Sequence, residues 1–287
     1  MGASHEHMNL PTARPSTVRT RDGLDLVLRH WPTPVPSRGT LLIVHGLGEH
    51  IGRYAHVAAH LTARGWEVNG YDQRGHGASP GKRGALRTAN DLLDDLERVI
   101  AVVRTASPTR PFVVLGHSMG GLVAAQFVAE SRGAVDALVL TSPALDAGLG
   151  LAQRLQLAVG FALVPDLAMS NQLDASMISH DPAVVRAYVD DPLVHDRVTA
   201  RLARALVNGG KIVLARAGRW PVPTLLLWAG EDKLVSPRGS AAFAAAAPTV
   251  ALSAKCFDGL YHEILNERDA APVFAALDAW LDPRRTG

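Results

Sequence analysis

In Pro111-Phe-Val-Val-Leu-Gly-His-Ser-Met-Gly-Gly-Leu-Val-Ala-Ala-Gln-Phe127, two apolar runs meet at the pentapeptide Gly116-His-Ser-Met-Gly120. The first run predicts a short buried strand and the second a helix. A serine on a sharp turn from strand to helix exposes its hydroxyl at the edge of a sheet. The flanking glycines let the nearby backbone pass without a Cβ clash. The stretch predicts a nucleophilic Ser118; the other interpretation is a glycine-rich turn with an idle serine.

Strand-length apolar runs alternate with helical patterns on both sides of this stretch. This alternation is typical of a parallel sheet with helices on both faces. We therefore predict an α/β fold with a mostly parallel central sheet, preceded by an edge hairpin at 16–31. The predicted strands are 40–44, 66–71, 112–115, 137–140, 222–228 and 250–257, and the predicted helices are 54–64, 88–105, 119–130, 237–247 and 269–281.

The alternation stops between residues 144 and 219, where the pattern is helical and irregular. We interpret residues 144–219 as a helical cap, or lid, inserted between two parts of one core. Those parts are residues 1–143 and 220–287, and residues 1–15 are expected to be a tag or disordered.

Composition excludes several classes of protein. The chain has 29 basic and 27 acidic residues among 287, and no basic stripe that would indicate a nucleic-acid partner. It has no signal peptide and no apolar run of spanning length, so we expect a cytoplasmic protein, either free or peripheral to a membrane. Its histidines lack metal-ligand spacing. Its single cysteine, Cys256, excludes an internal disulfide, and we interpret it as a buried structural thiol.

A nucleophilic serine needs a base. On this architecture the order along the chain is serine, then an acid, then histidine. Of the histidines after the serine, His180 and His195 lie in the insertion, whereas His262 follows the last predicted strand. We predict His262 as the base; the other interpretation is a histidine that caps its loop.

The base in turn needs an orienting acid. Asp232 follows the penultimate predicted strand, where a carboxylate can reach the far nitrogen of the histidine. Glu231 is adjacent, but consecutive side chains diverge, and Asp258 is a third candidate. We predict that Asp232 orients His262 and stabilises its imidazolium form.

A tetrahedral intermediate also needs backbone donors for its oxyanion. The amide of Met119, directly after the serine, is one candidate. The other is the amide of Leu47, in the loop His45-Gly-Leu-Gly-Glu-His50 after the first parallel strand. The alternative for this loop is a flexible glycine turn without a catalytic role.

With these parts in order, the chain resembles the α/β-hydrolases, and more closely the bacterial monoacylglycerol lipases. The resemblance covers about residues 21–281. Its Gly-Glu-His and Arg-Tyr elements are more specific than the serine pentapeptide. The motifs that carry it are His45-Gly-Leu-Gly-Glu-His-Ile-Gly-Arg-Tyr54, Asp72-Gln-Arg-Gly-His-Gly77, Gly116-His-Ser-Met-Gly-Gly121, Ser142-Pro143, Asp190-Asp-Pro-Leu193, Gly230-Glu-Asp232 and Gly259-Leu-Tyr-His-Glu263.

The resemblance implies a triad of Ser118, Asp232 and His262, with Leu47 and Met119 as oxyanion donors. It also implies a helical cap over an apolar acyl tunnel that has a polar end for glycerol. Family positions near that polar end correspond to Glu49, Arg53 and Tyr188. No metal or organic cofactor is required for this chemistry.

The most apolar part of the insertion is 149–164, with one charged residue. Leu151, Leu155 and Phe161 can share one face of a helix there, and we count them among the substrate-binding residues. Three interpretations stay open, and they are compatible: the helix packs on the main domain, lines an acyl pocket, or exposes apolar surface to a lipid interface.

The sequence therefore predicts a serine hydrolase of lipophilic esters that converts monoacylglycerol into fatty acid and glycerol through an acyl-enzyme. A carboxylesterase or a lysophospholipase is the nearest alternative. A non-catalytic binding protein on the same fold is the alternative from another class. The expected partner is a small lipid ester, without nucleic acid, with transient contact of the cap to lipid, in a monomer or a homodimer.

Overall fold

The computed structural model describes residues 13–282. Within that range it contains ten strands and eight α-helices. The strands are β1 (Arg14–Arg19), β2 (Asp25–Trp31), β3 (Gly39–Val44), β4 (Trp66–Tyr71), β5 (Phe112–His117), β6 (Ala137–Thr141), β7 (Ala168–Ser170), β8 (Arg197–Thr199), β9 (Thr224–Ala229) and β10 (Leu252–Phe257). The helices are α1 (Ala55–Thr62), α2 (Asp91–Ala106), α3 (Met119–Ala129), α4 (Leu151–Leu163), α5 (Pro182–Val189), α6 (Ala200–Arg216), α7 (Pro237–Ala246) and α8 (Ala271–Leu281).

Eight of these strands form one sheet in the order β1-β2-β4-β3-β5-β6-β9-β10. The strands from β4 to β10 in that order run parallel, and β1 and β2 add an antiparallel hairpin at one edge. The predicted α/β fold with a mostly parallel sheet is confirmed.

Helices cover both faces of the sheet, which explains why its central strands are continuous apolar runs. In β3, Leu42 and Val44 face a core shared with α2, α3 and α6. The alternate residues Leu41 and Ile43 face a second core, shared with α1 and α8. Both faces of β3 are therefore buried, and an alternation of apolar and polar residues would be wrong for it.

Two sequence expectations need correction at the ends of the sheet. Strand β1 begins at Arg14, which pairs with His30, so residues 14 and 15 are ordered; residues 1–12 lie outside the described part of the chain. Cys256 lies in β10 as expected, but it is partly exposed because β10 is an edge strand.

Between β6 and β9 lies the segment 144–219, which we call the cap. It contains α4, α5, α6 and a small antiparallel sheet of β7 and β8. Helix α6 differs from α4 and α5, because its Leu202 and Val213 belong to the main core, whereas α4 and α5 have no buried residue. Over residues 13–282, no helix combines the length and apolar content that a membrane crossing requires.

Candidate active site

Ser118 stands at the turn between β5 and α3. Its backbone has φ 53° and ψ −119°, a conformation that costs a residue with a side chain on the order of 1–3 kcal/mol. The surroundings hold this strained turn: the Ser118 amide donates to the Thr141 carbonyl at 3.0 Å, and its carbonyl accepts from the Leu122 amide at 3.0 Å. The serine predicted from the pentapeptide therefore stands on the strained strand-to-helix turn that the prediction requires.

The glycines of the pentapeptide are required by close backbone approach. A Cβ on Gly116 would lie 2.6 Å from the carbonyl oxygen of Gly120. A Cβ on Gly120 would collide with the carbonyl oxygens of Val44 and His45, at the end of β3. Both glycines thus let α3 start close against the neighbouring strands.

His262 and Asp232 form a buried hydrogen-bonded pair. His262 Nδ1 lies 2.6 Å from Asp232 Oδ2, and the other carboxylate oxygen accepts from the amides of Leu234 and Val235, each at 2.9 Å. Because every partner of this carboxylate is a donor, Nδ1 carries the proton and Nε2 is left as the basic nitrogen.

The electrostatics of the pair favour an ionised acid and a basic imidazole. Burial by itself would lower the pKa of His262, but the charge and hydrogen bond of Asp232 outweigh it and raise that pKa above its ordinary value. Burial would raise the pKa of Asp232, but the imidazole and the two amides lower it. The carboxylate therefore stays charged while the imidazole titrates.

Ser118 and His262 line the same cavity. Among the described residues, the Asp232–His262 hydrogen bond is formed, but a hydrogen bond from Ser118 Oγ to His262 is not. Catalytic hydrogen bonds are often long in ligand-free structures and tighten only when substrate is bound. The arrangement thus brings the three side chains to one site at the carboxyl edge of the sheet.

The two predicted oxyanion donors, Leu47 and Met119, also line the cavity beside Ser118. The loop that carries Leu47 approaches the serine closely, since a Cβ on Gly46 would lie 3.2 Å from Ser118 Cβ. Met119 begins α3, so its amide is among the helix N–H groups that lack an intrahelical acceptor.

A buried polar cluster lies on one side of the cavity. Arg53 donates to Glu49 at 2.6 Å and to both carboxylate oxygens of Glu263 at 2.7 Å. Tyr54 donates to Glu49 at 2.7 Å, and the Arg53 guanidinium lies 4.7 Å from the ring centre of Tyr188. Burial would raise the pKa of Glu49, but Arg53 and its other neighbours lower it to about 2.

The cavity has a volume of about 540 Å³, within the range of small-molecule sites. Glu49, Glu263 and Tyr188 contribute to its wall, whereas Arg53 lies behind them. Away from this cluster, Asn171, Asp174, His195 and Asp196 also contribute polar groups to the wall. Most of the remaining wall is apolar, formed by side chains of the cap and of the loops around the serine. These residues are Ala144, Ala147, Leu149, Leu173, Val189, Val194, Val198, Ala203, Leu206, Val207, Leu234 and Val235.

The predicted substrate contacts of α4 are wrong. Leu151 and Leu155 are 88% and 66% exposed, and neither they nor Phe161 line the cavity. Phe161 instead packs under Arg204 of α6, whose guanidinium lies 4.1 Å from its ring centre. The helix packs against α6. It is α6 that contributes Ala203, Leu206 and Val207 to the apolar wall, and α4 contributes no residue to it.

The rejected candidates lie elsewhere. Glu231 and Asp258 are exposed, and His180 pairs with Glu267 at 2.8 Å. His195 does line the cavity, but its Nε2 lies 3.1 Å from the Gly75 carbonyl. Burial is the main reason that its pKa is lowered to about 4.

Among the wall residues that sequence reasoning did not predict, two are titratable and lie close to the proposed catalytic residues. His117 has its ring centre 4.8 Å from that of His262, and burial is the main cause that lowers its pKa to about 4, so it is neutral. Glu263 follows the predicted base and holds Arg53. For Glu263, the available sequence signal was its charge next to a catalytic candidate. No comparable signal marked His117.

Comparison with known proteins finds relatives that cover most of the chain. Residues 35–269 match the model of the Hydrolase_4 family, described as serine aminopeptidase, S33. A monoacylglycerol lipase of Mycolicibacterium smegmatis is 36% identical over 90% of this chain and 93% of its own. The phospholipase YtpA of Bacillus subtilis is 30% identical over 84% of this chain and 94% of its own.

Among solved structures, the monoacylglycerol lipase of Paleococcus ferrophilus superposes with a TM-score of 0.81 at 30% identity. That match covers 89% of this chain and 98% of the other. The fold and the site define an α/β-hydrolase. The chain belongs to the Hydrolase_4 family of these enzymes.

Proposed function

We propose that this protein hydrolyses monoacylglycerol to a fatty acid and glycerol through an acyl-enzyme on Ser118. The observation that carries the proposal is the cavity itself, which joins an apolar wall to a buried polar cluster and has Ser118 on its surface. An acyl chain gains about 0.8 kcal/mol per buried CH₂ on an apolar wall. The polar cluster offers carboxylate acceptors to glycerol hydroxyls.

In the proposed mechanism, His262 Nε2 takes the proton of Ser118 Oγ as the oxygen attacks the ester carbonyl carbon. The amides of Leu47 and Met119 donate to the oxyanion of the tetrahedral intermediate. The intermediate collapses with cleavage of the bond to glycerol, which leaves with the proton from His262. Water, deprotonated by the same histidine, then releases the fatty acid and restores the serine hydroxyl.

The charge of the cavity favours a neutral headgroup. Among the described residues that line it, none is lysine or arginine, whereas Glu49 and Glu263 share the single guanidinium of Arg53. A phosphate would meet carboxylates with no free cation to balance it. The lack of a free cation therefore favours a monoacylglycerol over a lysophospholipid as the substrate. The lysophospholipid is considered because one relative is named a phospholipase.

We also propose that the cap acts as a lid that touches lipid surfaces through α4. Leu151, Leu155, Val159 and Leu163 recur every fourth residue and are all exposed, at 48% or more. Such a stripe of large apolar side chains is typical of a helix that lies on a membrane interface. The proposed division of the chain stays that of a core, residues 1–143 and 220–287, with the cap between.

The test is a substrate series measured on purified protein. The series comprises 1-oleoylglycerol, the lysophospholipid with the same acyl chain, p-nitrophenyl butyrate and an aminoacyl p-nitroanilide. We expect the highest kcat/KM on the monoacylglycerol. A preference for the lysophospholipid, the butyrate or the anilide would overturn the proposed substrate.

Ser118→Ala tests the nucleophile. We expect its turnover to fall below about one hundredth of wild type, because the acyl-enzyme cannot form. The variant should also lose labelling by a fluorophosphonate, whereas Ser253→Ala, on the exposed edge strand, should label like wild type. Labelling of Ser118→Ala would refute the assignment.

A further inference from the structure

Glu267 has a buried carboxylate to which neighbouring groups converge. Its side chain is 1% exposed. One oxygen accepts from the Tyr261 amide at 2.7 Å and lies 2.8 Å from His180 Nδ1. The other accepts from the His180 amide at 3.0 Å and the Ser179 hydroxyl at 3.3 Å. The carboxylate thus ties a core loop to the cap.

This loop is the one that carries His262. Tyr261 precedes the histidine, and its ring stacks on His180 with 3.6 Å between ring centres. On the other side of the histidine, the Glu263 amide donates to the Ile178 carbonyl of the cap at 2.8 Å. His262 is therefore held between two attachments to the cap, of which one depends on Glu267.

We propose that Glu267 is a positioning residue for the reaction: it fixes the His262 imidazole relative to Ser118 by holding the Tyr261 amide and fastening this loop to the cap. The inference rests on the proposed function, since it assigns His262 as the base.

The chemistry of the carboxylate suits this role. Burial would raise the pKa of Glu267, but the hydrogen bonds from the Tyr261 amide and from His180 outweigh it and lower the pKa. An ionised carboxylate is only an acceptor, so it can satisfy all these donors at once. An amide in its place must turn an N–H₂ group toward backbone N–H donors, and the loop would shift.

A shift of the loop should affect the chemical step more than substrate binding. Among the described residues, Glu267 does not line the cavity, and its carboxylate makes no hydrogen bond to α6, which contributes Ala203, Leu206 and Val207 to the apolar wall. That part of the wall should therefore keep its place. The imidazole, by contrast, must stay within hydrogen-bond reach of the serine. A displacement of about 1 Å in such a group can lower a rate about 100-fold.

The experiment compares Glu267→Gln with wild type on p-nitrophenyl butyrate and on fluorophosphonate labelling. We expect kcat to fall about 10-fold to 100-fold, KM to change less than about threefold, and the labelling rate to fall with kcat. Labelling should still reach one group per folded chain. Glu97→Gln, on the surface of α2, controls for loss of one carboxylate and should match wild type.

Glu267→Asp provides a second variant, which keeps the charge but shortens the side chain, and its kcat should lie between those of Glu267→Gln and wild type. The labelling rate constant is measured on the chains that react, so unfolded chains in a preparation do not lower it. The final extent of labelling gives the folded fraction. A folded variant of either kind with wild-type kcat and labelling rate would overturn the inference. So would a rise in KM with unchanged kcat.

The two proposals fail in different ways. Wild-type protein that neither hydrolyses the ester nor labels would overturn the proposed function. Wild-type protein that does both, while Glu267→Gln behaves identically, would overturn only the role of Glu267.

Discussion

At the scale of single residues, the site depends on opposite pKa shifts in one pair. The Asp232 carboxylate loses basicity and the His262 imidazole gains it, although burial alone would do the reverse to both. The pair is thus prepared for an imidazolium beside a fixed negative charge, which is the state that proton transfer from Ser118 creates.

The pH dependence of acylation follows from the raised pKa of His262. The base must be neutral, so kcat/KM on a soluble ester should rise with pH to a plateau, with its midpoint above 6.5, the ordinary value for histidine. A profile from pH 5 to 9 measures this midpoint. A flat profile with acylation rate-limiting would contradict the role of His262.

Asp232→Asn should lower kcat by about 10³-fold or more, because an amide can donate to Nδ1 and favour the wrong tautomer. Loss of the carboxylate should also move the pH midpoint of the remaining activity downward, since its charge is what raises the pKa of His262. The neighbouring Glu231→Gln serves as the control. Equal losses in both variants would make Glu231 the better candidate.

The sequence predicted Ser118, Asp232 and His262 as a group because each follows a strand of a parallel sheet, and such positions meet at one edge. It could not predict Glu267, one of whose partners, His180, lies 87 residues away along the chain. Convergence of this kind depends on how the cap folds back, which no local pattern encodes.

At the scale of elements, the turn that carries the proposed nucleophile, Ser118, is held by packing of α3 against the ends of neighbouring strands. Gly120→Ala would place a methyl group against the carbonyls of Val44 and His45. We expect a loss of stability of about 1–3 kcal/mol from this overpacking. Thermal unfolding measures it, with Gly259→Ala as the control, because a Cβ there meets no atom within 4 Å.

Helix α4 shows where periodicity misleads. The prediction placed Leu151, Leu155 and Phe161 on one face, but Leu151 and Leu155 are exposed while Phe161 packs against Arg204 of α6. Periodicity alone does not say which side of a helix faces the protein. In the structure, Leu155 faces outward and α6 fills the position expected of α4. The central strands β3 and β5 were easier to predict, because burial on both sheet faces makes each of them a continuous apolar run.

The outward stripe of α4 yields its own prediction. Leu155→Asp should weaken sedimentation with phosphatidylcholine vesicles and lower activity on aggregated monoacylglycerol, because a charge replaces apolar surface at the interface. Activity on a water-soluble ester should stay within about twofold of wild type, since Leu155 does not line the cavity. Unchanged vesicle binding would contradict contact through α4.

At the scale of the whole molecule, the buried cluster around Arg53 contributes both to the cavity wall and to the stability of the fold. Arg53→Met would leave Glu49 and Glu263 without their shared cation, and removal of one partner from a buried ion pair costs about 3–5 kcal/mol.

The pH dependence of that loss can be assigned a sign. In wild type the pKa of Glu49 lies near 2, so its contribution is present above its unfolded pKa and disappears only as pH falls toward 2. Without Arg53, burial disfavours the ionised carboxylate. The deficit should therefore be largest at neutral pH and shrink toward pH 4. Denaturant unfolding at several pH values measures it, and a constant deficit would contradict the electrostatic account.

Helix α6 forms part of the cavity wall, and it also connects two neighbouring strands of the sheet. Strands β6 and β9 are parallel neighbours, so the chain must cross from one end of the sheet back to the other between them. Helix α6 makes this return crossing, and its Leu202 and Val213 are buried in the main core. The strand–helix–strand unit is therefore formed by β6, α6 and β9. The part of the cap before α6, up to about residue 199, is an excursion inserted between β6 and α6. A different excursion grafted at that point would reshape the cavity, and it would also have to replace the hydrogen bonds by which residues 178–180 hold the loop of His262.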